Sequence, residues 1–514
     1  LPHSVGLVTD LSPHLVRRAL TSLRAELHYR EHLFNRKKVK DILEMESLRD
    51  SETPPALVIV IDEFAALVSD VPEFVDGVVD IAQRGRSLGI HLILATQRPA
   101  GVIRDNLRAN TNLRIALRMA DEADSVDVLG TPAAAHFDPS IPGRASAKTG
   151  PGRLTPFQAA YAGGWTTGEK PAPSIDVAEL RFGSPVLWEV PDTEDAPRVS
   201  DPGPTDQTRL VRSIGEAFIG ARLPSPRRPW MPELAQIYDL ARLPQRTDTK
   251  LVLGVAALPH RQAQEPVSFL PDIDGHLAIY GTGGSGKSTA LRTLAISAGI
   301  TPRGGIVDVY GLDFGSGGLR MLEPLPHVGA VIAGDDSERV VRLFRMLQAE
   351  LTRRAALFGE ARASTIDDYR ASMGSEDLAR ILLLVDGFPA FRAEYEVGAG
   401  RAEWYAAFLQ LLSDGRPFGI HIALTADRAA SVPSAVGASI SRRVVLRLAE
   451  ETGYTLLNVE DDILSPTSPS GRAIIDGWET QIAVLGGSRS TVDQVRAIAD
   501  LGATIAARRP LICG

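Results

Sequence analysis

Gly281-Thr282-Gly283-Gly284-Ser285-Gly286-Lys287-Ser288 follows an apolar strand, residues 277–280, and opens a helical stretch from Thr289 to about residue 297. The pattern G-x-x-x-x-G-K-[ST] in a strand–loop–helix setting predicts a phosphate-binding loop. Glycines let backbone N–H groups turn inward around a β-phosphate, and the N-terminus of the following helix adds partial positive charge. Lys287 is expected to reach the β- and γ-phosphates, and the Ser288 hydroxyl to hold Mg²⁺, so residues 281–289 predict ATP and Mg²⁺ as cofactors. Gly281, Gly283 and Gly286 also satisfy G-x-G-x-x-G, with Asp308 near the ribose-reading position of a dinucleotide site. That rival has no use for Lys287, and the Lys-Ser-Thr run decides for the phosphate loop.

Working outward, the chain repeats itself. Leu1-Pro2-His3 recurs as Leu325-Pro326-His327, an offset of 324 (325 − 1). Each copy predicts a small apolar strand and then a long amphipathic helix, residues 12–34 and 337–358. Next come apolar strands ending in aspartate, Val58-Ile59-Val60-Ile61-Asp62 and Leu382-Leu383-Leu384-Val385-Asp386, again 324 apart. Gly85-Arg86 with Gly89-Ile90-His91 matches Gly415-Arg416 with Gly419-Ile420-His421, and Pro142-Gly143-Arg144 matches Ser470-Gly471-Arg472. Strands rich in Val, Ile and Leu without polar alternation alternate with helices, which predicts α/β domains with mainly parallel sheets covered on both faces. His91 and His421 are read as structural residues of buried strands.

The two copies differ where chemistry is expected. Asp62 and Asp386 are the strand-end carboxylates that hold a Mg²⁺ shell, and Glu63 can orient an attacking water. The second copy has Gly387 in that place, so it is expected to bind Mg-ATP and hydrolyse it poorly. Thr96-Gln97 follows the next strand as a γ-phosphate sensor and is replaced by Ala426-Asp427. Arg84 and Arg86 end a helix and are candidate arginine fingers acting on a neighbour's nucleotide. Carried back by 324, the phosphate loop of the first copy falls about 44 residues ahead of Leu1. The first domain is therefore expected to be truncated at its N-terminus, with the catalytic acid and without the phosphate loop, leaving this fragment weakly active or inactive. The domains are read as 1–182, the C-terminal part of a first ATPase domain; 183–228, a Pro- and Gly-rich linker with a short helix near residues 208–219; and 229–514, a second ATPase domain.

Composition narrows the partners. The 514 residues carry 55 Lys and Arg against 63 Asp and Glu, a net charge of −8, with 44% hydrophobic residues. This excludes a wholly disordered chain and a collagen, and weighs mildly against coating nucleic acid through bulk charge. Arg36-Lys37-Lys38 and Lys40, with Arg30 nearby, form the compact basic run, read as a solvated helix face. Cys513 is the single cysteine, which forbids an internal disulfide and a Cys-based zinc site. No His/Cys cluster suggests a metal other than Mg²⁺, and no apolar run approaches the ~20 residues of a membrane span.

Residues 86–99, RSLGIHLILATQRP, resemble the signature of the FtsK/SpoIIIE family of RecA-like motor ATPases, as do Asn110 to Met119 and Asp124-Ser125. The resemblance covers about residues 1–164 and 251–487. It implies tandem P-loop, RecA-like domains. Two motor domains in tandem, only 27 residues after Gly487 (514 − 487) and Leu312-Asp313-Phe314-Gly315-Ser316-Gly317 are similar to the type VII secretion branch. That branch implies ATP-driven protein export, secreted helical-hairpin proteins as substrates and self-association into a ring. It also implies a place on the cytoplasmic side of the bacterial cell membrane, reached through an N-terminal part. The alternative within the family is a double-stranded DNA translocase of chromosome segregation or cell division. In either case the resemblance carries Glu63, Asp62, Gln97 and Arg86 as catalytic residues, Asp386 with the phosphate loop as nucleotide-binding, and Ser288, Asp386 and Asp62 as Mg²⁺ ligands.

Overall fold

The computed structural model describes residues 1–8, 12–97, 110–166, 203–244, 246–301, 305–398 and 400–508. Arg98, Pro99, Cys513 and the linker up to residue 202 lie outside them. The chain divides into two compact units, Leu1–Pro229 and Trp230–Gly514.

In unit one, the apolar runs form β1 (Leu57–Ile61) and β2 (Ile90–Leu94), paired in parallel, and β3 (Arg114–Leu117), β4 (Arg144–Gly150) and β5 (Arg153–Gln158), an antiparallel sheet. The helix Pro13–Lys37 buries Val16 and Leu20 against Phe64, Leu67, Phe74 and Val78. A helix spans Asp206–Gly220, with Thr205 capping its N-terminus through Thr208 N–H.

Unit two carries β6 (Leu251–Leu258), β7 (Ala263–Phe269), β8 (Leu277–Tyr280), β9 (Val307–Asp313), β10 (Val328–Ala333), β11 (Arg380–Asp386), β12 (Ile420–Ala426), β13 (Arg442–Leu446), β14 (Arg472–Ile475) and β15 (Trp478–Ile482). They form one sheet in the order β10-β9-β11-β12-β8-β13-β14-β15-β6-β7, parallel from β10 to β13 and antiparallel beyond. β8, β11 and β12 are buried at every position.

Two expectations fail in unit one, for one reason. Its sheet is not covered on both faces: Val58, Val60 and Ile93 are 55%, 65% and 53% exposed, and His91 is exposed with them. Their counterparts Leu382, Leu384 and Ala423 lie in the core formed with Leu291 and Leu294 of the helix Lys287–Gly299, while β8 joins β12 to β13. Among the described residues of unit one, no helix or strand takes those two places. Residues 4–8 likewise form no strand. Their counterpart β10 pairs with β9, which has no equivalent among the described residues of unit one.

The repeat is built around a buried ion pair. Arg30, which the basic run suggested was solvated, is buried. It meets Glu26 at 2.9 Å and donates to the carbonyls of Leu88 at 2.8 Å and Pro55 at 2.9 Å. Arg354 repeats the arrangement with Glu350 at 2.7 Å, Phe418 O at 2.7 Å and Ala379 O at 2.8 Å. Each arginine ties a long helix to the entry of two strands, satisfying carbonyls that the sheet leaves open.

His421 and His276 are buried in unit two. His421 Nδ1 lies 2.9 Å from Gly275 O, and His276 Nδ1 accepts from Ile422 N–H at 3.0 Å. Burial pushes the pKa of His276 down to about 4 and that of His421 to about 3. The unfolded chain therefore binds more protons than the folded one below the ordinary histidine value. Unit two is expected to lose stability as pH falls from about 6.5 towards 4, by up to about 1.4 kcal/mol per pH unit for each histidine. Urea midpoints at pH 7 and pH 5 check this: the drop should shrink in His276→Gln/His421→Gln, and an unchanged drop would refute it.

Candidate nucleotide-binding site

The phosphate loop lies at the C-terminal end of β8, beside the ends of β9, β11 and β12, in a cleft of about 650 Å³. That is within the ~300–1,000 Å³ usual for small-ligand sites. Gly281 N–H donates to Ala426 O at 3.1 Å, and Thr282 N–H to Arg447 O at 2.9 Å. A turn joining no neighbouring segment in sequence props the loop: Gly471 N–H donates to Ser285 O at 2.8 Å, and Ser470 Oγ to Gly284 O at 2.9 Å. This explains Gly286. Its φ is +113°, and a Cβ there would stand 2.9 Å from Gly471 N. Gly283 and Gly284 face open space, as a loop that must receive a ligand requires.

Lys287 folds back on the loop, donating to Gly281 O and, at 2.9 Å, to Thr282 O. Burial pushes its ammonium pKa below the ordinary lysine value, opposed by Asp427 and Asp386. Ser288 Oγ donates to Asp386 Oδ2 at 2.7 Å, joining the phosphate loop to the end of β11. A hydroxyl and a carboxylate meeting beside a phosphate loop are the hard oxygen donors that suit Mg²⁺. Thr289 Oγ1 accepts from Arg292 at 2.9 Å, and Arg292 reaches Gln494 at 3.2 Å.

The structure adds residues that motif reading missed. Thr425 donates to Asp386 Oδ1 at 2.6 Å and accepts from Gly387 N–H at 2.8 Å, so it orients the carboxylate. Gln481 Nε2 donates to Ser470 O at 3.0 Å, and Gln158 in unit one makes the same bond to Pro142 O at 2.7 Å. The repeated Pro/Ser-Gly-Arg turn was visible in the sequence; its contact with the phosphate loop was not. Asp308 is the second residue of β9, opposite Ile381, whereas Asp313 reaches the site end opposite Asp386. The acid that the dinucleotide reading needs is thus at the wrong end of its strand.

In unit one, Glu63 Oε1 accepts from Gln97 Nε2 at 2.6 Å, and Asp62 Oδ1 accepts from Glu63 N–H at 3.0 Å. Arg86 is exposed and makes no side-chain bond among the described residues. Arg84 is engaged with Glu31 and with Asp80 at 3.1 Å, a surface network that leaves it a poor finger. Among the described residues, no group of three or more His, Cys, Asp or Glu side chains is arranged to hold a metal ion. Nor is any helix among them long and apolar enough to cross a membrane.

A parallel sheet with a lysine-bearing glycine loop after one strand and a buried aspartate at the end of another defines a P-loop nucleotide-binding protein. The chain belongs to the FtsK/SpoIIIE family, a family of ATPases, whose model matches residues 1–101 and 240–463. It is 30% identical over 497 residues to the ESX secretion system protein YukB of Bacillus subtilis, covering 94% of this chain and 32% of that protein. It is 29% identical over 486 residues to the type VII secretion system protein EssC of Staphylococcus aureus, covering 88% and 32%. The chain thus spans about a third of the length of these relatives. The cytoplasmic domain of the type VII secretion ATPase EccC of Thermomonospora curvata superposes with a TM-score of 0.78 at 26% identity, over 98% of this chain and 57% of that one.

Proposed function

We propose that the chain is part of the motor of a type VII-like secretion system, with unit one contributing hydrolysis and unit two holding Mg-ATP with little turnover. The observation that carries this reading is the contrast at matched positions. Glu63 and Gln97 are hydrogen-bonded in unit one, and Gly387 and Asp427 replace them in unit two. A glycine has no group with which to orient water. Lys287, Ser288, Asp386 and the loop N–H groups would bind the triphosphate and its Mg²⁺. Asp62 and Glu63 would serve a nucleotide whose phosphate loop comes from outside these residues, and Arg86 would reach a neighbour's nucleotide in a ring.

The substrate in this reading is a secreted helical-hairpin protein, and the motor works on the cytoplasmic face of the membrane. The names of the relatives support protein cargo. So does the basic run, where Arg36 pairs with Glu52 at 2.7 Å and Lys37 with Asp50 at 2.8 Å. Those pairs neutralise half of the run and leave the exposed Lys38 and Lys40, a small charge for holding a DNA backbone. The test is ATP turnover of the whole protein with a helical-hairpin substrate or with linear duplex DNA. Turnover should respond to the protein, and stimulation that grows with DNA length would overturn the reading. The 514-residue chain alone is expected to retain ATP, recovered unhydrolysed after gel filtration.

A further inference from the structure

We propose that the loop of residues 314–319, gathered by Asp313, closes the hydrolytic corner of the unit-two site, so that Gly387 exists to admit this loop. The inference rests on the nucleotide-site reading above and goes further: glutamate at 387 would not restore hydrolysis. Asp313 is buried at the end of β9 and spends both carboxylate oxygens on the loop. Oδ1 accepts from Gly315 N–H at 3.1 Å and Gly317 N–H at 3.2 Å, and Oδ2 from Leu319 N–H at 2.9 Å. Phe314 N–H donates to Asp386 O at 2.9 Å, so the loop begins by extending the β9–β11 pairing. The Phe314 ring packs edge-on against Phe391 and Tyr395, centroids 5.4 and 6.0 Å away. The loop is held at both ends and in the middle.

Its backbone fills the space beside Gly387. A Cβ built there stands 2.9 Å from both C and O of Phe314 and 3.2 Å from Gly315 N. These are backbone atoms, which cannot swing aside as a flexible side chain can. The left-handed backbone adds strain to any substitution but does not forbid one, because Glu63 adopts φ +50°, ψ 44° where Gly387 has φ +79°, ψ 46°. The same loop reaches the metal corner: Cβ atoms on Gly315 and Gly318 would stand 3.3 Å from Asp386 Oδ2 and 3.4 Å from Ser288 Cβ. Asp313 is therefore a positioning residue. It holds a backbone wall where a catalytic acid and its water would need to stand.

The test uses the 514-residue chain carrying Glu63→Gln, so that any turnover belongs to unit two, with a fluorescent ATP analogue to follow release. Gly387→Glu should give no gain in turnover and at least tenfold faster release. Adding Asp313→Ala to it, which frees the loop, should raise turnover above either single variant. A tenfold or greater gain from Gly387→Glu alone, with release and melting temperature unchanged, would overturn the proposal. If Gly387→Glu does not fold, Gly387→Ala decides by its melting temperature. Its cost should shrink in the Asp313→Ala background, and an equal cost in both backgrounds would refute the wall. Failure of the nucleotide-site reading itself looks different: the parent chain would then bind the analogue no better than its Lys287→Ala variant.

Discussion

Replacing Lys287 by alanine is expected to weaken ATP binding to the 514-residue chain by about two orders of magnitude. Lys287 is the cation within the phosphate loop, and it waits folded on Gly281 O and Thr282 O. Those neutral carbonyls are weak partners compared with β- and γ-phosphate oxygens. Moving to the phosphates exchanges two bonds to neutral carbonyls for bonds in which both partners are charged, and hydrogen bonds to charged groups are worth about 1.5–3 kcal/mol each. A net loss of about 3 kcal/mol corresponds to about a hundredfold in Kd. Fluorescence titration with an ATP analogue in Mg²⁺ measures it, and Lys287→Arg should recover only part, because a planar fork does not fit a point-charge niche. A change of less than about threefold would place the triphosphate elsewhere.

The second large effect is expected far from the nucleotide, at the other end of β11. Arg380 has no exposed surface and stands among three carboxylates. It meets Asp272 at 2.8 Å, Asp367 at 2.5 Å and Asp248, which also pairs with Arg370 at 2.5 Å. Arg380→Ala leaves the buried Asp248 with Arg370 as its remaining partner and takes the counter-charge from the part-exposed Asp272. Such a loss costs about 3–5 kcal/mol, whereas an exposed pair such as Arg36–Glu52 contributes at most ~1 kcal/mol. Urea unfolding of the chain should show a large drop for Arg380→Ala and almost none for Arg36→Ala. Comparable small drops would mean the buried cluster is wet. Because β11 carries Asp386 at its far end, nucleotide affinity should fall in Arg380→Ala only as far as the folded fraction falls.

The phosphate loop was legible because its pattern is local: eight adjacent residues form it, and their order alone specifies the turn. The tandem repeat was legible for a related reason, since offsets between motifs survive without any knowledge of packing. The supports of the site were not legible. Thr425, Gln481 and the Ser470-Gly471 turn reach it from other strands, and nothing near the loop in sequence points to them. Arg30 and Arg354 were hidden differently. A charged residue on a long helix reads as solvated, and only the unpaired carbonyls at the strand entries give it a buried role.

Gly89-Ile90-His91 and Gly419-Ile420-His421 mark the limit. The same three residues open the same strand in each unit, yet His421 is buried beside His276 while His91 faces out with Val58 and Ile93. Sequence alone determined the strand and a mainly parallel sheet around it, because apolar runs alternating with helices specify that much. Whether a face of that sheet is core or surface was decided by what lies over it, a helix in unit two and nothing among the described residues in unit one. Burial is a property of the neighbours that exclude water, and neighbours across a sheet are supplied by tertiary structure.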